Sequence, residues 1–167
     1  YTDAIHQADI CGVSVPVCVS PLFESKALPG LSVAVELGAD MEAIVPPCAE
    51  YAQAGATLIA QMAAFPETVS STDDAALNIR YQSRHLKCGM ILAAPGKGES
   101  STDNVFSGLC MVAENGCILA QEEAEDSLAV SEIDIEHMMN LRRAQGNFDL
   151  SDYPMELISW GAAPTET

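Results

Sequence analysis

The sequence predicts an α/β fold, and three observations carry that prediction. Apolar runs rich in β-branched residues, Val13–Val19 (VSVPVCV) and Leu31–Leu37 (LSVAVEL), are bounded by Gly and Pro, as strands are. They are followed by alternating alanine-rich or capped stretches and further apolar runs, the order expected of strands joined by helices. Asn115-Gly116 separates two more apolar runs, which is a strong short-range hairpin signal.

The elements follow in order. Pro46 and Pro47 precede Cys48–Gly55 (CAEYAQAG), a short helix opened by proline and stopped at glycine. Ala56–Met62 (ATLIAQM) is the next strand. VSSTDDAALNIRYQSRHLK opens with Ser, Thr and Asp capping candidates, then runs in helix formers to Lys87. Cys88–Ala94 (CGMILAA) reads as a buried strand. Phe106–Ala113 and Cys117–Gln121 flank the turn Glu114-Asn115-Gly116. Leu128–Ile133 is read as a further strand, and Asp134 caps a helix reaching about Arg143. Beyond Gly146 the chain is a polar, proline-bearing tail with the single tryptophan, Trp160. The expected organisation is one domain portion over 1–167, with 145–167 as tail. Leu31–Leu37, Ala56–Met62 and Cys88–Ala94 are its expected buried central strands, with Gly38 at a strand end.

Bulk properties narrow the function. A chain of 167 residues can bury a substantial core. It begins at Tyr1 rather than Met, so a piece of a longer protein is expected. Seven basic against 24 acidic residues give a formal charge of −17, which disfavours nucleic acid and anionic membranes as partners. Neither a transmembrane-length apolar run nor a secretory signal is recognised. Six cysteines form no CxxC and are read as buried thiols of a cytoplasmic protein. The three histidines, His6, His85 and His137, have no zinc-type spacing, so no metal site is expected.

Several local candidates have ordinary explanations. Cys48 has no adjacent His or Lys to lower its pKa and is read as a core thiol. Gly96-Lys97-Gly98 lacks the phosphate-loop spacing, and Ser100, Ser101, Thr102 and Asp103 are read as bonding local backbone in a tight turn. Lys97 and Glu99 alternate across that turn. His85 suits a helix C-terminus. Met138, Met139 and Leu141 suit core packing.

Longer stretches carry a family likeness. LPGLSVAVELGADMEAIVPP, AEYAQAGATLIAQMAAFP, GKGESSTDNVFSGLCMVAENG and LAVSEIDIEHMMNLRRAQGNF occur in this order without a gap between Gly38 and Gly116. From Val15 to about Asp152 the chain resembles the C-terminal half of the glutaminase domain of glutamine-dependent NAD synthetases, within the nitrilase-like carbon–nitrogen hydrolases. The resemblance implies a portion of an α-β-β-α sandwich and a glutamate–lysine–cysteine site. There the cysteine attacks the glutamine amide, giving a thioester and ammonia. It also implies a separate synthetase domain that takes ATP and nicotinic acid adenine dinucleotide, leaving this portion without a cofactor of its own. The implied partners are that synthetase domain and further copies of the chain.

At the positions that matter the chain departs from the family. Gly38 stands where the nucleophile belongs, and Ala39 follows where an acidic residue is usual; Asp40 alone keeps the pattern. Phe65 replaces a small substrate-contacting serine, and Ser71 replaces an arginine. The glutamate and lysine belong to the family's preceding half. The expectation is therefore a catalytically inactive unit with a structural and assembly role. The alternative is a portion of an active nitrilase-like amidase whose pocket changes have been compensated.

Overall fold

Strand β1 (His6–Ile10) pairs antiparallel with β2 (Val13–Val17) in a two-stranded hairpin. The main sheet takes β3 (Pro21–Ser25), β4 (Ser32–Leu37), β5 (Leu58–Met62), β6 (Gly89–Ala93), β7 (Leu109–Glu114), β8 (Cys117–Glu123) and β9 (Glu156–Trp160). Its order is β8-β7-β6-β5-β4-β3-β9. Helices α1 (Pro47–Gln53), α2 (Ser71–Leu86) and α3 (Ile135–Ala144) complete the fold. The computed structural model describes residues 6–123, 128–145 and 155–161.

Strands β4, β5 and β6 are mutually parallel and occupy the middle of the sheet. Parallel neighbours need a crossover, and α1 and α2 provide the two crossovers here. The three expected central strands are thus found, and their C-terminal ends share one edge, with Gly38 directly after β4. The helices form for local reasons. Proline opens α1. Asp73 and Asp74 lie in the first turn of α2, and Arg84 and His85 in its last, as the helix dipole favours. The Asp134 side chain accepts the His137 N–H at 2.8 Å and caps α3.

One sheet face meets α1 and α2. Register aligns Ala34, Ile59, Met90 and Ala113 in one row and Glu36, Gln61, Leu92 and Met111 in the next; all eight are buried. Cys48 and Ala52 of α1 and Ile79 of α2 belong to the same core. Two polar side chains therefore lie inside it, and they are hydrogen-bonded to each other, with Gln61 Oε1 left without a partner. Glu36 Oε1 accepts the Cys48 N–H at 2.5 Å, and Glu36 Oε2 accepts from Gln61 Nε2 at 2.6 Å. Gln61 Nε2 also donates to Gln82 Oε1 of α2 at 2.9 Å. The Cys48 N–H is an orphan donor of the first helical turn, and no side chain of α1's own N-cap reaches it. A strand carboxyl thus caps the helix that follows it and ties β4, β5, α1 and α2 together.

Some expectations are corrected. Leu128–Ile133 is not a strand; it lies outside the ladders, and Ile133 is set over Gly89 and Leu58. A Cβ on Gly89 would approach Ile133 Cγ2 to 2.8 Å, so glycine is what permits this crossing. The expected tail contains β9, which pairs parallel with β3. Residues 146–154 and 162–167 of that tail lie outside the described residues. The run Val13–Val19 does form a strand, over Val13–Val17, and it lies in the outlying hairpin. The cysteines are not uniformly buried. Cys11, at the hairpin tip, and Cys117, opening the outermost strand β8, are exposed, whereas Cys48 and Cys88 are buried.

The polar tie makes a stability prediction. Glu36→Leu leaves two buried donors short of their acceptor and should cost about 3 kcal/mol in denaturant unfolding. Glu36→Gln keeps one acceptor oxygen and should cost less than half as much. An unchanged unfolding midpoint for Glu36→Leu would contradict the assigned role.

Candidate active site at the end of a parallel strand

The chain turns sharply where β4 ends. Gly38 adopts φ +61°, in the left-handed region that favours glycine, and opens a single 3-10 turn over Gly38–Glu42. Asp40 Oδ2 accepts the Leu37 N–H at 3.1 Å, so this carboxylate closes the turn on its own backbone. Asn78 of α2 donates Nδ2 to the Met41 carbonyl at 3.3 Å, and Met41 is buried beneath. The strand end is thereby held from below by the core and from the side by α2.

Gly38 itself offers no chemistry. An added Cβ there would meet nothing within 4 Å, so the position opens into space rather than into a packed wall. Phe65 follows the end of β5, half-buried against the core. Ser71 begins α2; its Oγ accepts the Thr68 N–H and donates to the Thr68 carbonyl, both at 3.1 Å. Phe65 and Ser71 line one cavity of about 280 Å³ together with Met41 and Glu42, which follow Gly38 by three and four positions. The three positions singled out by sequence are thus brought to one end of the sheet, although Gly38 does not line the cavity.

Neither buried thiol is placed to act as a nucleophile. Cys48 is wholly inaccessible, and its thiol is pushed up by burial first and then by the adjacent Glu36 carboxyl. Cys88 is equally buried and pushed up to about 11 by desolvation, against the opposing pull of Arg142. Arg142 Nη2 lies 2.8 Å from its Sγ and also donates to the Ala56 and Leu86 carbonyls, which fixes α3 against the opposite end of the sheet. A thiol raised this way holds little thiolate at neutral pH.

The remaining candidates are placed as follows. Lys97 and Glu99 are exposed on a 3-10 turn well along the chain from this cavity's lining. Ser100 Oγ accepts the Phe106 N–H, and Ser101 Oγ accepts those of Asp103 and Asn104, so the tight-turn reading holds. His85 is exposed and stacks on Tyr81, with ring centroids 5.3 Å apart. Met138 is core, as expected, and Met139 sits against Gly30. A larger cavity, about 450 Å³, lies at the N-terminal ends of β4 and β5 beside Met139, and contains none of the predicted site residues. Among the described residues no His, Cys, Asp or Glu cluster suits a metal ion. No helix among them is long and apolar enough to cross a membrane.

Sequence reasoning missed Glu36, Gln61 and Gln82. The signal was present: Glu36 shares inward parity with Ala34, Gln61 with Ile59, and Gln82 lies three residues after the buried Ile79. It also missed Glu42, Asp74 and Asn78 of the cavity, which only the fold brings together.

Comparison with known proteins agrees with this architecture. No protein-family model matches the chain. The glutamine-dependent NAD(+) synthetase of Mycobacterium tuberculosis (strain ATCC 25618 / H37Rv) is 36% identical over 143 residues, covering 84% of this chain and 21% of that protein. The chain thus spans about a fifth of the length of the curated relatives it matches. Among solved structures, Saccharomyces cerevisiae Nit3, a nitrilase-superfamily member, superposes with a TM-score of 0.59 at 23% identity over 70% of this chain and 42% of that one. The glutamine-dependent NAD+ synthetase of Acinetobacter baumannii gives 0.58 at 16% identity, over 68% and 21%. The fold is that of the nitrilase superfamily, and the chain is related in sequence to a segment, about a fifth, of the glutamine-dependent NAD+ synthetases.

Proposed function

We propose that this chain is a glutaminase-type unit of a glutamine-dependent NAD+ synthetase that no longer hydrolyses glutamine and acts in structure and assembly. The observation that carries the reading is Gly38: the strand end offers no side chain to attack an amide, and thioester formation needs a sulfur there. The surroundings support it. Phe65 fills space where the resemblance places a small hydroxyl, and the Ser71 hydroxyl is engaged by Thr68 where the resemblance places an arginine. ATP and nicotinic acid adenine dinucleotide are assigned to a separate synthetase domain, and the cytoplasm is the proposed location.

The assembly role has its own support. The sheet face turned away from α1 and α2 carries Val35, Ala60 and Ile91 in one row, all partly exposed. Leu37 and Met62, in the next row, are 59% and 51% exposed. Parallel sheets are almost always covered on both faces. We therefore propose that this face is buried by association, with further copies of the chain as well as with the parent protein.

Two measurements follow. The chain should release no ammonia from glutamine, and Gly38→Cys should recover almost nothing. The new sulfur finds room but costs about 1–2 kcal/mol of backbone strain, and Phe65 and Ser71 still stand where the resemblance places a small hydroxyl and an arginine. Turnover by the wild type would overturn the inactive reading; turnover by Gly38→Cys alone would mean that the glycine silences an otherwise intact pocket. For assembly, light scattering at micromolar concentration should give a dimer or larger species. Added salt should strengthen it by screening the mutual repulsion of chains carrying −17. A monomer at both salt levels would contradict the assembly role.

A further inference from the structure

The cavity beside the strand end has a chemical preference of its own. It lies beyond the C-terminal ends of the parallel strands β4 and β5, where open α/β sheets place ligands. Its apolar lining includes buried Met41 and the half-buried Phe65 ring. Its acidic lining residues are Glu42, from the strand-end turn, and Asp74, from the first turn of α2, whose Oδ2 accepts from Ser70 Oγ at 2.9 Å and whose Oδ1 is left for a ligand. Asn78 and Ser71 spend side-chain hydrogens on the Met41 and Thr68 carbonyls. Among the described residues, no lining side chain carries a positive charge. The wall is therefore rich in acceptors and poor in donors.

We infer that this cavity binds a small alkylammonium ion, with its hydrocarbon part against Phe65 and Met41 and its N–H groups on the Glu42 and Asp74 carboxylates. The inference rests on the reading that the site has left glutamine chemistry, and it names what the altered pocket now takes. An amino acid brings a carboxylate, which Glu42 and Asp74 repel and no lining cation holds. An ammonium brings donors to both carboxylates and, beside an aromatic ring, a favourable cation–π contact. A volume of about 280 Å³ accommodates a four-carbon chain. The overall negative field of the chain raises the local concentration of such cations.

The test is a titration of the whole chain, followed by amide NMR shifts, with n-butylammonium, butyramide and butyrate at constant ionic strength. These probes share a carbon skeleton and differ in charge. Butylammonium should saturate shifts at Ser71, Asp74 and Asn78, at least tenfold more tightly than butyramide, with no binding of butyrate. Asp74→Asn should weaken butylammonium at least fivefold. Glu50→Gln, an equal charge change outside the cavity, should leave it unaltered. Phe65→Leu should weaken butylammonium about two- to fivefold and leave butyramide unaffected. Butyramide or butyrate binding as tightly as butylammonium would overturn the inference. So would the absence of saturable shifts, or equal weakening by Asp74→Asn and Glu50→Gln. Any of these results with no ammonia released from glutamine sinks the ligand assignment alone and leaves the inactive-site reading intact.

Discussion

The parallel register of β4, β5 and β6 is the constraint on which the other features depend. It requires a helical crossover between each pair, which puts α1 and α2 on one face and sends every central strand to the same edge. That edge collects Gly38 after β4 and Phe65 after β5, while α2 supplies Ser71, Asp74 and Asn78 beside them. The same register puts Glu36 level with Gln61 beneath the edge. From there, Glu36 caps α1 and leaves the strand-end turn little freedom to shift. The geometry of this strand end is therefore set by the backbone, independently of the residue at position 38.

The strand-end turn is held by bonds that involve no side chain at position 38. The turn at Gly38 is closed by Asp40 on the Leu37 amide and held by Asn78 on the Met41 carbonyl. The residue retained from the acidic pattern, Asp40, is the one with a structural duty. Of the positions that the resemblance marks as departures, 38 has no side chain to take such a duty, whereas Ser71 bonds the Thr68 backbone and Phe65 packs against the core.

Legibility in the sequence varied from element to element. The central strands stood out because they are apolar on both faces, and Gly38 was readable as a strand end because polarity changes at Glu36–Gly38. Glu36 was not readable as a buried cap, since its partners come from Gln61 and the Cys48 amide, 25 and 12 residues on. β9 was missed because its partner β3 is over a hundred residues earlier, and its own sequence, ELISW, has a polar start and no turn signal. Leu128–Ile133 looked like a strand by composition. Its Ile133 instead covers Gly89, a contact that composition cannot encode. The expectation of uniformly buried cysteines failed where a hairpin tip and an outermost strand brought Cys11 and Cys117 to the surface.

The central claim is that the strand end carries no nucleophile, and covalent capture tests it most directly. The whole chain is treated with a glutamine-like electrophile, with and without excess glutamine, and its mass and labelled peptides are determined. The account predicts no adduct that glutamine protects against; any labelling of exposed Cys11 or Cys117 should be indifferent to glutamine. A stoichiometric adduct on any residue, suppressed by glutamine, would contradict it.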